Sequence, residues 1–98
     1  MTKLINEKGF TEISISEKRE FEDFFKFAEK LKQSIKIDYI EKIDDFDSLY
    51  WIFEYEKSIM VVSYNTFLGI SIYPRNTKKA SVIDNQLIIK INDLIKNW

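Results

Sequence analysis

Acidic side chains dominate one stretch of the chain and are the residues with the most obvious chemistry. Between positions 38 and 56, seven carboxylates stand against one lysine, Lys42, a local balance of -6 in a chain whose net charge is -1. The carboxylates are Asp38, Glu41, Asp44, Asp45, Asp47, Glu54 and Glu56. Such groups can transfer protons, hold a hard cation or complement a basic partner. The residues around them decide between these uses.

The composition argues against catalysis. The chain has no histidine and no cysteine, which removes histidine-activated nucleophiles, thiolates, disulfides and the commonest metal ligands. A carboxylate pair needs a cleft, and 98 residues in one domain leave little room for one. The run Asp44-Asp45-Phe46-Asp47 lacks the spacing of a calcium loop, and two glycines form no phosphate loop. We therefore expect no enzyme, no metal and no cofactor.

Two stretches have the spacing of amphipathic helices. The first, about Glu17–Gln33, follows a capping candidate at Ser16 and places Glu17 and Glu20 in its first turn. Its apolar stripe consists of Phe21, Phe24, Phe25, Ala28 and Leu31. The second covers about Ser81–Trp98, with a stripe of Ile83, Leu87, Ile91, Leu94 and Trp98 that Ile88 and Ile95 widen. Both stripes must pack on another element.

The remaining segments predict a sheet. A short strand is expected at Phe10–Ile15, another at Ile37–Ile43, and a three-strand meander at Leu49–Glu56, Ser58–Tyr64 and Phe67–Tyr73. The order β-α-β-β-β-β-α predicts a single α+β domain over residues 1–98. Its largely antiparallel sheet has four to five strands, and two helices accompany it.

Two-residue turns at Glu56-Lys57 and Asn65-Thr66 would fix which meander residues share a face. The aliphatic face would carry Tyr50, Ile52, Ile59, Val61, Leu68, Ile70 and Ile72. The aromatic face would carry Trp51, Phe53, Tyr55, Met60, Val62, Tyr64, Phe67 and Tyr73. Either each face takes one helix, or both helices cover the aliphatic face and leave the aromatic one to a partner. Large aromatics are usually buried, which favours an ordinary core role for the aromatic face.

The acidic loop and strand favour recognition of a basic protein. Asp44, Asp45 and Asp47 lie on the predicted loop, where binding residues concentrate, and Glu54 and Glu56 continue the charge. Tyr50 and Trp51 are the candidate anchors, because tyrosine and tryptophan are frequent interface hot spots. A solvated acidic edge is the plainer interpretation of the same residues. Nucleic-acid binding is disfavoured, since acidic residues accompany the aromatic strand and Arg75, Lys78 and Lys79 lie elsewhere.

Taken whole, the chain resembles the small immunity proteins of bacterial contact-dependent growth inhibition and related polymorphic toxin systems. The resemblance depends on size, on the phenylalanine-rich helix 21–31, and on the aromatic, acidic strands 46–56 and 64–74. It implies tight binding to a cognate toxin domain. Nucleases are the favoured class of toxin, because they are basic where they bind phosphate. No functional residue carries over by position.

Two other classes of protein stay open. A small acidic secretion chaperone or adaptor would bind an effector through exposed apolar surface, and a stable homodimer would favour it. A small carboxylate hydrolase is the third. For the immunity protein we expect a monomer or weak homodimer. No stretch approaches a membrane span, and the first residues lack a signal peptide's apolar run, so we expect a cytoplasmic, membrane-free protein.

Overall fold

Eight elements make up the fold. The computed structural model describes residues 2–15 and 20–98. The elements are β1 (Lys3–Ile5), β2 (Glu12–Ile15), α1 (Phe21–Ile35), β3 (Tyr39–Asp44), β4 (Ser48–Tyr55), β5 (Ser58–Asn65), β6 (Gly69–Pro74) and α2 (Val82–Ile95). The α+β class, the antiparallel sheet and the element order are confirmed. The sheet has six strands in the order β1-β2-β6-β5-β4-β3 rather than four or five, because β1 pairs with β2.

Both helices pack on the aromatic face of the sheet. Phe24, Ala28 and Leu31 of α1 share one buried core with Ile88 and Ile91 of α2. The strands contribute Ile13, Ile15, Leu49, Phe53, Met60, Val62, Tyr64, Ile70 and Ile72 to that core. The interpretation of the aromatics as ordinary core is thus the correct one. Both proposed alternatives, a helix on each face and two helices on the aliphatic face, are wrong.

One register assignment is right and the other is wrong. Tyr55 pairs with Ser58, so Glu56 and Lys57 form the predicted two-residue turn. Asn65 pairs with Gly69, so the next turn contains three residues, 66–68, rather than two. Gly69 has a φ of 82°, which matches the left-handed position that closes a three-residue hairpin loop.

Relative to the predicted register, β6 is shifted along β5 by three positions, so that Val62 pairs with Ile72 instead of Gly69, and this odd shift exchanges the faces of β6. Ile70 and Ile72 therefore lie in the core under the helices, and Tyr73 lies on the opposite face. Phe67 and Leu68, which were predicted to lie on the strand, are exposed on the loop. A shift by an odd number of residues moves every side chain of a strand to the other face.

The helix ends follow ordinary capping rules. Helix α1 starts at Phe21, later than predicted, and the Glu20 amide donates to Asp23 Oδ2 at 3.3 Å. The predicted cap at Ser16 lies outside the described residues. Helix α2 starts after Ser81, whose Oγ accepts from the Asp84 amide at 3.0 Å, while Asp84 Oδ2 accepts from the Ser81 amide at 3.2 Å. This reciprocal pair satisfies two amides that the helix itself leaves free.

Stability is expected to depend on Asp84 above about pH 4. Burial raises the pKa of Asp84, but hydrogen bonds from Ser58 and Ser81 outweigh burial and hold that pKa below its usual 3.8. A lowered folded-state pKa means that the ionised form stabilises the fold at higher pH and that this contribution fades as pH falls through the folded pKa. Asp84→Ala should cost about 1 kcal/mol at pH 7. Urea unfolding at pH 7 and at pH 2.5 measures the difference, which should shrink at the lower pH.

Lys57→Gly is expected to stabilise the protein. Glu56 and Lys57 have φ values of 48° and 72°, a conformation that costs a residue with a side chain about 1 kcal/mol or more. Glycine at position 57 should recover about 1 kcal/mol of unfolding free energy, measured by urea denaturation. Lys57→Ala is the matched control, because alanine keeps the strain. An equal gain in both variants would contradict this explanation.

Candidate functional site

The loop between β3 and β4 is a tight, ordered turn with an exposed phenylalanine. The Asp45 amide donates to the Ser48 carbonyl at 2.8 Å, which closes the loop. The Phe46 amide donates to Asp45 Oδ1, also at 2.8 Å. These bonds hold the backbone while the Phe46 side chain is 97% exposed. The turn therefore presents a ring that the protein's own core does not use.

The loop between β5 and β6 lies against this turn. The Thr66 amide donates to the Asp47 carbonyl at 3.4 Å, and Asn65 Nδ2 donates to Ser48 Oγ at 3.0 Å. Asn65 Oδ1 accepts from the amides of Phe67 and Leu68, at 2.8 and 3.2 Å, and so orders its own loop. The two loops, residues 44–48 and 65–69, form one unit that we call the hairpin tip.

The hairpin tip is both apolar and acidic. Phe67 is 74% exposed and Leu68 is 71% exposed, and with Phe46 they are three of the four most exposed large apolar residues in the described part of the chain. Asp44 and Asp45 are exposed beside them, and Asp47 is half-buried. None of the ion pairs within residues 2–15 and 20–98 involves these three aspartates. Their charge is available to a partner.

The start of α1 adds acidic groups near the tip. The ring of Phe21 lies 5.0 Å from that of Tyr64, the residue before Asn65. Burial raises the pKa of Tyr64, and the carboxylates of Glu20 and Asp23 raise it further. These carboxylates therefore lie close to the end of β5. They extend the negative potential of the hairpin tip.

The predicted binding residues divide between two ends of the sheet. Strand β4 has eight residues, so about 25 Å separates its ends. Asp44, Asp45 and Asp47 lie at one end. Glu54 and Glu56 lie at the other, where Glu56 Oε2 accepts a 2.7 Å hydrogen bond from Lys90 Nζ. The structure therefore splits the single acidic surface that the sequence suggested.

The two predicted anchors lie on opposite faces. Trp51 packs under α1, with its ring 5.1 Å from that of Phe24 and 5.2 Å from that of Tyr39. Lys42 Nζ lies 4.2 Å from the centre of the indole ring. Tyr50 lies on the other, helix-free face. Trp51 is thus packed against the core, and Tyr50, which is also half-buried, lies on the face without helices.

The helix-free face has two parts. On one side, Arg75 Nη2 lies 3.9 Å from Glu41 Oε1. Glu41 is paired with Ile52, which is paired in turn with Val61, and both of these aliphatic residues are buried. On the other, a groove of about 400 Å³ follows β6, with Ser63 and Ser71 between Tyr50 and Tyr73. Burial raises the pKa of Tyr73, the Tyr50 and Glu12 side chains add to this, and a hydrogen bond from Ser63 opposes it. The groove is therefore lined by aromatic rings as well as by serine hydroxyls.

The described residues were compared with the requirements of a metal site and of a membrane-spanning helix. Among residues 2–15 and 20–98, no three acidic side chains converge in a way that would hold a metal ion. No helix in this part of the chain is long and apolar enough to cross a membrane.

Comparison with known proteins places the chain in a family. A family model described as a protein of unknown function, DUF3630, matches residues 2–82. The chain belongs to the DUF3630 family. The match covers all six strands and α1 of this DUF3630 protein and reaches the first residue of α2. No curated protein and no solved structure matches the chain.

Sequence reasoning missed the three apolar residues of the hairpin tip. Phe67 and Leu68 were assigned to a strand because the turn was taken to end at Thr66, two residues before the observed end of the loop. The exposure of Phe46 could have been predicted from the sequence, since this residue stands between Asp45 and Asp47 in a loop. An apolar side chain between charged loop residues has little chance of reaching the core. Such a residue is a candidate contact residue.

Proposed function

We propose that this protein is an immunity-type binding protein that neutralises a toxin domain by covering a basic surface of it. The observation that carries the proposal is the position of Asp44, Asp45 and Asp47 on an ordered, exposed turn without ion pairs among the described residues. Charges held this way attract a basic partner and orient it during encounter. Inhibition by this binding requires no chemical reaction from the protein.

The partner that suits this surface is a protein with a cationic groove. Nucleases bind phosphate through lysine and arginine, so a carboxylate-bearing turn can occupy the same positions. The ordered turn helps, because little conformational entropy is lost when it binds. The resemblance to polymorphic-toxin immunity proteins supports this choice of partner. A toxin that acts inside the cell would require a cytoplasmic inhibitor, and we propose that compartment.

A secretion chaperone or adaptor is the second candidate. It is favoured by one observation, the helix-free sheet face with the groove beside Tyr50 and Tyr73. Chaperones of this kind hold an effector through exposed sheet surface. This candidate predicts that groove substitutions weaken effector binding and that tip substitutions do not.

Co-expression with the neighbouring gene tests the proposal. The tagged protein is produced together with the product of the gene immediately upstream in its source genome. We expect one-to-one co-purification of a toxic domain and survival of cells only when this protein is present. The Asp44, Asp45 and Asp47 triple exchange to Asn is the matched variant. Capture of a non-toxic secreted protein, or growth without the inhibitor, would reject the immunity function.

A further inference from the structure

The most exposed apolar side chains of the protein concentrate at one place. Four large apolar residues in the described part of the chain are more than 70% exposed. Three of them, Phe46, Phe67 and Leu68, lie on the hairpin tip, and the fourth, Val82, begins α2 at the opposite end of the sheet. Single exposed apolar residues are common on protein surfaces, but a group of them usually marks an interaction site.

The hairpin tip fixes the backbone at these residues and leaves their side chains exposed. The two loops are joined by the Thr66 amide to Asp47 carbonyl bond and by the Asn65 to Ser48 side-chain bond. Phe46 is anchored through its own amide to Asp45. A partner would therefore meet a preformed surface, and the order already present lowers the entropy cost of association.

The neighbouring charges indicate what kind of surface fits. Asp44, Asp45 and Asp47 lie within two residues of Phe46 along the chain. A purely apolar partner surface would desolvate these carboxylates without compensating them, which is costly. A membrane with anionic headgroups would repel them. A pocket for the phenylalanine ring with lysine or arginine at its rim satisfies both features.

We infer that Phe46, supported by Phe67 and Leu68, is the anchor of the interface, and that its occupant is an apolar pocket of a partner protein rimmed by lysine or arginine. This inference rests on the proposed function for the identity of the partner, but its chemistry applies to any basic protein. It assigns the central contact to an apolar ring that the sequence did not single out. The aspartates then act at the rim, where they guide association.

A random peptide library displayed on phage tests the chemistry without a known partner. The wild-type protein, Phe46→Ala and the control Val82→Ala are each immobilised and used for selection. We expect the wild type and Val82→Ala to enrich peptides that combine an apolar residue with lysine or arginine. Phe46→Ala should lose this enrichment. Enrichment that survives Phe46→Ala, or the absence of any enrichment on the wild type, would overturn the inference.

The toxin domain from the co-expression experiment gives the quantitative test. Phe46→Ala should weaken its binding roughly 30-fold or more, the size expected for a hot spot, while Val82→Ala leaves it unchanged. Phe46→Leu should recover part of the loss. An unchanged affinity for Phe46→Ala would overturn the anchor and leave the immunity function standing. If the wild type enriches the expected peptides but does not protect cells from a toxin, the Phe46 anchor stands and the immunity function is rejected.

Self-association is the remaining alternative, and size-exclusion chromatography decides it. A wild-type dimer that Phe46→Ala converts to monomer would show that a second copy covers the hairpin tip, and it would overturn the basic-partner assignment. A monomer in both cases supports the inference. Because Phe46 is almost fully exposed, Phe46→Ala and Phe46→Leu are both expected to fold, and circular dichroism checks this.

Discussion

Phe24→Ala is expected to cost about 3–5 kcal/mol of unfolding free energy, the range for removing a buried phenylalanine ring. The Phe24 side chain is fully buried and is the centre of the aromatic cluster between α1 and the sheet. Its ring lies 5.1 Å from that of Trp51 and 6.0 Å from that of Tyr64. The loss combines the transfer energy of the ring with the cavity left behind. Since the total free energy of unfolding of a domain of this size is roughly 5–15 kcal/mol, the variant should lose a large share of its stability.

Urea unfolding monitored by tryptophan fluorescence measures this loss. Phe46→Ala is the matched control, because it removes the same ring from a site that is 97% exposed. It should change stability by no more than about 0.5 kcal/mol. Similar losses in both variants would mean that α1 does not pack on the sheet as described. The pair also separates the structural phenylalanine from the one assigned to binding.

The triple exchange of Asp44, Asp45 and Asp47 to Asn should slow association with a basic toxin domain by about 10-fold or more at low salt. Attraction between opposite charges raises the rate of productive encounter, and added salt screens it. The wild-type rate should therefore fall steeply with ionic strength, whereas the variant's rate should be nearly flat. Stopped-flow fluorescence at several salt concentrations measures both slopes.

A second triple exchange provides the control for net charge. Glu7→Gln, Glu29→Gln and Asp38→Asn remove the same number of negative charges from positions outside the hairpin tip. We expect this variant to keep most of the wild-type rate and slope. Equal slowing in both triple variants would mean that overall charge, and not the tip, guides the partner. An unchanged rate in the tip variant would remove the acidic loop from the mechanism.

Local sequence information was sufficient for the positions of both helices and for one turn, but not for the buried face of α2. The predicted stripe residues Ile83 and Leu94 are exposed, and the buried residues of α2 are Ile88, Ile91 and Ile95. The stripe Phe21, Phe24, Phe25, Ala28 and Leu31 has the spacing of a helix face, and α1 forms there with Phe24, Ala28 and Leu31 buried. The β-branched and aromatic runs at 49–56 and 58–64 likewise predicted β4 and β5, with the turn at Glu56-Lys57 between them. These features depend on neighbours in the chain, which is why the sequence reveals them.

Other features depended on contacts between distant residues. Strand β1 has three residues, too few for a periodic signal, and it exists because Lys3–Ile5 pair with Glu12–Ser14 of β2. The conformation of Gly69 set the length of its loop and hence the register of β6. Without that register, the exposure of Phe67 and Leu68 could not be predicted.

The sequence by itself determined the α+β class, the order of elements and an acidic segment with no histidine or cysteine chemistry beside it. The tertiary structure decided which sheet face the helices cover, because both faces of β4 and β5 are apolar enough to be buried. It also decided that Asp44, Asp45 and Asp47 lie far from Glu54 and Glu56, since an extended strand separates them by its full length. Burial and charge proximity are properties of three-dimensional packing, and residue order alone does not specify them.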